Sequence, residues 1–199
     1  MLFLRSFTQY IKESMDLSGK KYKVTNTDDI KGFILAGKAI FTIESQTTGV
    51  WYTYKITQAK KNKDIYFVNV LRGPDNQSSY TYLGLVSKNG DSFRFGLTKN
   101  SKYKIDAPCT VAFDYFFKNL IRGVLHPKMN FYHMGFCGRC GRALTVPESI
   151  KRGLGPWCAG KMSEEEEINN DRRRKLTQMN KDWKFDEVKD KRKRDSRIN

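Results

Sequence analysis

The spacing of apolar residues changes character twice along the chain. Leu4, Phe7, Ile11 and Met15 recur at helical intervals, with Lys12, Glu13 and Asp16 off the stripe, which predicts a helix over residues 2–16 that docks on the body. Lys20-Lys21-Tyr22-Lys23 follows as a basic linker or edge segment. Residues 28–36 read as a short helix, capped by Asn26 or Thr27 and stopped by Gly37.

From Ala39 the period becomes two. Residues 40–43 and 50–56 flank the turn Thr47-Thr48-Gly49 and predict a hairpin. A third strand over 64–71 precedes the turn at 73–76, and a fourth over 80–86 leads through Lys88-Asn89-Gly90 into a fifth over 92–97. Asn-Gly supplies the positive φ angles that a tight hairpin needs. The helical period returns at Asp106-Ala107-Pro108 and runs through an aromatic stretch to a stop at Gly123. Consecutive hairpins and one packed helix define an α+β fold with an antiparallel sheet of about five strands. A small Cys3His zinc module and a charged C-terminal helix are expected to follow. The pattern divides the chain into an N-terminal helix and linker (1–25), a β-rich body (26–125), a zinc-finger-like module (126–162) and a charged helical tail (163–199). No internal repeat occurs.

Charge changes the picture through its position. The 199 residues carry a formal +16, yet residues 163–199 hold 12 basic and 10 acidic groups, while residues 1–162 hold 25 and 11. The surplus belongs to the body, and a body this positive attracts polyanions, of which nucleic acid is the commonest in a cytosol. No apolar run approaches the roughly 20 residues that span a bilayer, and the first residues lack the pattern of a secretion signal, so a cytoplasmic protein without a membrane partner is expected. In the tail, Glu164 to Glu167 precede Arg172 to Lys175, as the helix dipole favours. Residues 159–184 read as helix with a narrow stripe of Leu176, Met179 and Trp183, and residues 189–194 as a frayed basic end.

Four cysteines and two histidines concentrate the candidate chemistry. Cys137-Gly138-Arg139-Cys140-Gly141-Arg142 has the spacing and the small residues of a zinc knuckle, and Cys158 follows Gly155-Pro156-Trp157 at a helix start that favours a thiolate. Zinc in a structural site takes four ligands. His133, four residues before Cys137, is the expected fourth, with His126 and Cys109 as its competitors. No thioredoxin-like strand precedes the Cys pair, so a redox pair fits less well.

The run from His133 through Cys137, Cys140, Leu144-Thr145, Pro147-Glu148-Ser149-Ile150 to Gly153, Gly155-Pro156 and Cys158 resembles an uncharacterised zinc-finger-like domain family of bacteriophage and mobile-element proteins. Residues 34–43, 48–54, 70–76 and 82–84 resemble the β-rich region that often precedes that domain, so the resemblance covers about residues 33–162. It implies a viral or mobile-element origin and a zinc site, and no established activity.

A zinc closed by four protein ligands holds structure and leaves no place for a substrate. The chain has no Walker loop, GxGxxG fingerprint, GxSxG elbow or deaminase signature. Its Cys pattern is similar to that of HNH nuclease fingers, but the His pair of that chemistry is missing. Asp28-Asp29 at a helix start is explained by capping. Binding is the better reading. Arg139, Arg142, Lys151, Arg152 and Lys161 surround the cysteines in sequence and suit phosphates, and Trp157 either stacks on a base or, as the preferred expectation, covers the module's core. Tyr52, Tyr54, Tyr66, Tyr80 and Tyr82, with Lys55 and its neighbours Lys60, Lys61, Lys63 and Arg72, have the composition of a single-strand platform, although core or surface filling is the expectation for most of these tyrosines. The expected function is a zinc-stabilised, non-catalytic nucleic-acid-binding protein of phage type. The alternative is a host-directed inhibitor whose positive surface seizes an acidic protein, and a third reading is a nucleic-acid-processing enzyme.

Overall fold

A computed structural model describes residues 15–16, 21–75 and 78–195. The chain forms two compact units, residues 1–158 and 159–199.

In the first unit, one antiparallel sheet contains every strand among the described residues. Strands β1 (Met15–Asp16), β2 (Lys21–Val24), β3 (Lys38–Ser45), β4 (Trp51–Gln58), β5 (Ile65–Leu71), β6 (Tyr80–Asn89), β7 (Ser92–Gly96) and β8 (Met129–His133) lie in the order β1-β2-β8-β3-β4-β5-β6-β7. Seven of these have four residues or more, against the five expected. The hairpins are where the period of two places them, with Gly49 at φ 68° and Gly90 at φ 61° in their turns. The two additional long strands come from segments outside the five expected. Lys21–Val24, expected as a linker or edge segment, pairs with β8 and lies second from one end of the sheet. Met129–His133, expected to belong to a separate module, lies between β2 and β3. Its alternation is plain once paired, with Phe131 and His133 buried and the alternating Asn130 and Tyr132 half-exposed.

Four helices complete the described fold: α1 (Thr27–Ile34), α2 (Pro108–Ile121), α3 (Pro147–Arg152) and α4 (Pro156–Asp195). Asn26 caps α1 by accepting from the Asp29 N–H at 2.9 Å, and Asp28 and Asp29 occupy the first turn, as the dipole prefers. In α2, Cys109, Phe113, Phe116, Phe117 and Leu120 recur at intervals of one helical face and are buried. That face lies on the sheet. Phe113 meets Tyr54 at 5.0 Å and Phe95 at 4.7 Å, and Phe116 lies 5.9 Å from both Phe41 and Phe131.

Register decides which sheet residues share this inner face. Tyr22, His133, Phe41, Tyr54 and Val70 are partners in one row across five strands, and Val24, Phe131 and Ile43 form the next row. Lys23, Tyr132, Thr42 and Thr53 make the adjacent row on the opposite face, where the Thr42 and Thr53 hydroxyls hydrogen-bond at 2.8 Å.

Residues 2–14 of the expected N-terminal helix lie outside the described residues, and Met15–Asp16 pair with Lys21–Tyr22 as strand. In the second unit α4 continues to Asp195, through the 189–194 segment expected to fray. Lys175 and Asp171 pair there at 2.8 Å. The side chains of Leu176, Met179 and Trp183 fall outside what is described. Among the described residues no helix is long and apolar enough to cross a membrane.

Candidate metal centre

Residues 135–144 form a tight hairpin-like knuckle. Leu144 N–H donates to the Gly135 carbonyl at 2.8 Å, Phe136 bridges Ala143, and Cys137 N–H donates to the Arg142 carbonyl at 2.8 Å. Gly141, at φ 79°, returns its N–H to the Cys137 carbonyl at 2.9 Å, a turn that closes the Cys-x-x-Cys loop. The chain then enters α3 at Pro147, leaves it at Gly153, and starts α4 at Pro156. Cys158 therefore sits in the first turn of α4, where backbone N–H groups favour an anionic sulfur.

This path brings the sulfurs of Cys137, Cys140 and Cys158 within 4.8 Å of one another. A tetrahedral zinc with Zn–S bonds of about 2.3 Å separates its sulfurs by about 3.8 Å, so the cluster suits such an ion. Cys137 and Cys158 are buried and Cys140 is exposed, so the group lies at the protein surface. Burial pushes the Cys137 thiol up, but N–H groups of Cys140, Gly155 and Arg139, together with the Cys140 side chain, outweigh it and bring the thiol down to about 7. Cys158 is pushed up to about 12 by burial and by the two neighbouring sulfurs. Thiolates this close repel one another, and a divalent cation among them converts that repulsion into attraction.

The knuckle is seated on the main fold. Gly138 N–H donates to the Gly153 carbonyl at 3.0 Å, and Lys38 N–H at the start of β3 donates to the Gly138 carbonyl at 2.6 Å. Side chains at Gly138 of the knuckle and at Gly153, which ends α3, would collide with Phe33 of α1. A Cβ on Gly138 would lie 2.7 Å from the ring and 2.6 Å from the Phe33 carbonyl oxygen, and one on Gly153 would lie 2.5 Å from the ring. Gly135 meets Tyr22 of β2 in the same way, at 2.6 Å. Sequence reading does not single out Phe33 or Tyr22, and no local signal marks them, because their role exists only once α1 and β2 face the knuckle.

His133 does not join the cysteines, which corrects the expected Cys3His set. It is fully buried in the inner row of the sheet, stacked on Tyr22 at 5.4 Å and tilted against Phe33 at 5.3 Å. Both ring nitrogens are engaged by backbone. Nδ1 accepts from the Gly135 N–H at 3.0 Å, and Nε2 lies 2.7 Å from the Ile150 carbonyl, so the network assigns the proton to Nε2. Burial lowers its pKa to about 4 against the opposing pull of the Ile150 carbonyl, so the ring is neutral near pH 7. The competitors are elsewhere too. His126 Nδ1 accepts from the Lys128 N–H at 3.2 Å and its ring meets Tyr115, while Cys109 lies in the first turn of α2, where its carbonyl accepts from the Tyr54 hydroxyl at 2.7 Å.

Of the expected phosphate-contacting residues, Arg142, Lys151 and Arg152 are exposed, Arg142 on the knuckle and the other two in the last turn of α3. Arg139 is half-buried and engaged, and Lys161, in the second unit, pairs with Glu164 at 2.8 Å. Trp157 is 70% exposed, so it does not cover the module's core as expected. It stands on the outer side of a helix start whose buried residue is Cys158. Tyr54 and Tyr66 fill the core, whereas Tyr80 and Tyr82 are half-buried, with the Lys55 ammonium 5.2 Å from the Tyr80 ring.

The fold and the cluster together define an α+β protein with a three-cysteine centre able to hold a metal ion. A family of unknown function, DUF6011, matches residues 128–163, the stretch that holds β8, the knuckle, α3 and the start of α4. No curated protein and no solved structure matches the chain.

Proposed function

We propose that this is a zinc-stabilised, non-catalytic nucleic-acid-binding protein of the kind carried by bacteriophages and mobile elements, acting in the cytoplasm. The observation that carries the reading is the closure of Cys137, Cys140 and Cys158 into one cluster while Arg142, Lys151 and Arg152 stay exposed on the segments between them. Zinc supplies cross-linking there, tying the knuckle to the start of α4. The cations it braces contact phosphates, and the +16 of the chain adds the long-range attraction that speeds encounter.

The reading is tested on purified full-length protein by metal analysis and by salt-titrated binding to single- and double-stranded DNA and RNA. Stoichiometric zinc and an affinity that falls steeply with salt are expected. Replacing Arg142, Lys151 and Arg152 together by Ala should flatten the salt slope by roughly 2–3 and leave the zinc in place. Absence of polyanion affinity at low salt, with one host protein retained at high salt, would assign the positive surface to a protein partner instead.

A further inference from the structure

We infer that the metal held by Cys137, Cys140 and Cys158 takes its fourth ligand from outside the chain, as a water molecule that a small thiolate displaces. The inference rests on the metal part of the proposed function and concerns its coordination alone.

The chain contains four cysteines and two histidines, and all six lie among the described residues. Three cysteines form the cluster. Each of the other three residues lies outside that cluster. His133 has Nδ1 on the Gly135 N–H and Nε2 on the Ile150 carbonyl, and turning the ring toward a metal would strand that carbonyl and amide in the core. His126 is fixed by the Lys128 N–H and the Tyr115 ring. Cys109 lies beside a cavity of about 300 Å³ at the start of α2, lined also by Tyr52, Arg72 and Tyr103. Among the described residues no carboxylate joins the group of sulfurs. Four-coordinate zinc with three protein ligands completes its shell with solvent or an exogenous ligand.

Cys140 is an exposed residue, so the cluster stands at the protein surface, next to solvent. Ligand chemistry follows from charge and softness. Three thiolates on Zn²⁺ leave a net charge of about −1, which the exposed Arg142, Lys151 and Arg152 on the same segments help to offset when a further anion binds. A sulfur-rich shell selects a soft donor over a carboxylate. The exchange balances simply. The metal–oxygen bond to water breaks, the metal–sulfur bond forms, and the thiol proton passes to solvent.

Cobalt(II) in place of zinc in the full-length protein reports this directly. Its visible bands follow tetrahedral geometry and its near-ultraviolet sulfur-to-cobalt charge transfer follows the number of thiolates. Titration with 2-mercaptoethanol should raise the charge-transfer intensity by about a third, as three thiolates become four. His133→Gln, which keeps an amide donor for the Ile150 carbonyl, should give the same thiol-free spectrum and the same titration as the parent. Stoichiometric cobalt whose spectrum ignores the thiol would overturn the inference, as would a changed thiol-free spectrum in His133→Gln. Failure to bind cobalt at all would overturn the metal reading beneath it.

Discussion

His133 donates its Nε2 proton to the carbonyl of Ile150 at 2.7 Å, and this one bond ties the inner face of the sheet to the helix between the second and third cysteines. The residue nearest in sequence to the Cys pair with a metal-binding ring therefore supports the centre from behind. Phe33 and Tyr22 pack on the same ring and lie against Gly135, Gly138 and Gly153, so sheet, α1 and the cysteine-bearing segment share one contact region.

A pH dependence follows from that burial. The folded pKa of His133 lies at about 4, below its ordinary 6.5, so between these values the unfolded chain binds the proton better. The stability the neutral ring contributes is complete above pH 6.5 and disappears as pH falls toward 4, a loss on the order of 3 kcal/mol. Urea melts at pH 7 and pH 4.5 should show a larger loss in the parent than in His133→Gln. Equal losses in the two proteins would place the pH sensitivity elsewhere.

Cys140→Ser should release zinc and expose the amides of residues 135–158 to hydrogen exchange. Because β8 runs directly into the knuckle and lies between β2 and β3, its protection should fall too, while β4, β5 and β6 keep theirs. Metal analysis with exchange mass spectrometry reads both parts. Retained stoichiometric zinc would remove Cys140 from the ligand set.

Phe33 and Gly153 should be energetically coupled. Gly153→Ala places a methyl 2.5 Å from the Phe33 ring and puts a side chain at φ 73°, which together should cost about 2–4 kcal/mol. In a Phe33→Leu background the steric part should shrink and only the backbone strain remain, so a double-mutant cycle by urea denaturation should show about 1 kcal/mol or more of coupling. Additive losses would mean that the ring and the glycine do not meet.

Trp157 separates packing from binding. At 70% exposure, Trp157→Ala should leave zinc content intact and change stability by no more than about 0.5 kcal/mol. If the indole stacks on an unpaired base, affinity for single-stranded nucleic acid should fall by about 1–3 kcal/mol, with a smaller change for duplex. A large stability loss would return this residue to the role of core cover.

Interactions between near neighbours were legible in the chain itself. The Asn26 cap, the Gly49 and Gly90 turns, the aromatic face of α2 and the Cys-x-x-Cys loop closed by Gly141 all depend on residues a few positions apart. So the hairpins, α1, α2 and the grouping of three cysteines could be read from period, capping and spacing. The strand Met129–His133 could not, because five alternating residues mean a strand only when β2 and β3 stand on either side of them. The place of His133, expected as the fourth ligand, could not be read correctly for the same reason: the spacing to Cys137 suits a ligand, but Tyr22, Phe33 and Ile150, brought in from distant segments, claim the ring first. Local chemistry chose the elements and the grouping of the cysteines, and long-range packing chose which strand sits mid-sheet and which imidazole is kept from the cysteine cluster.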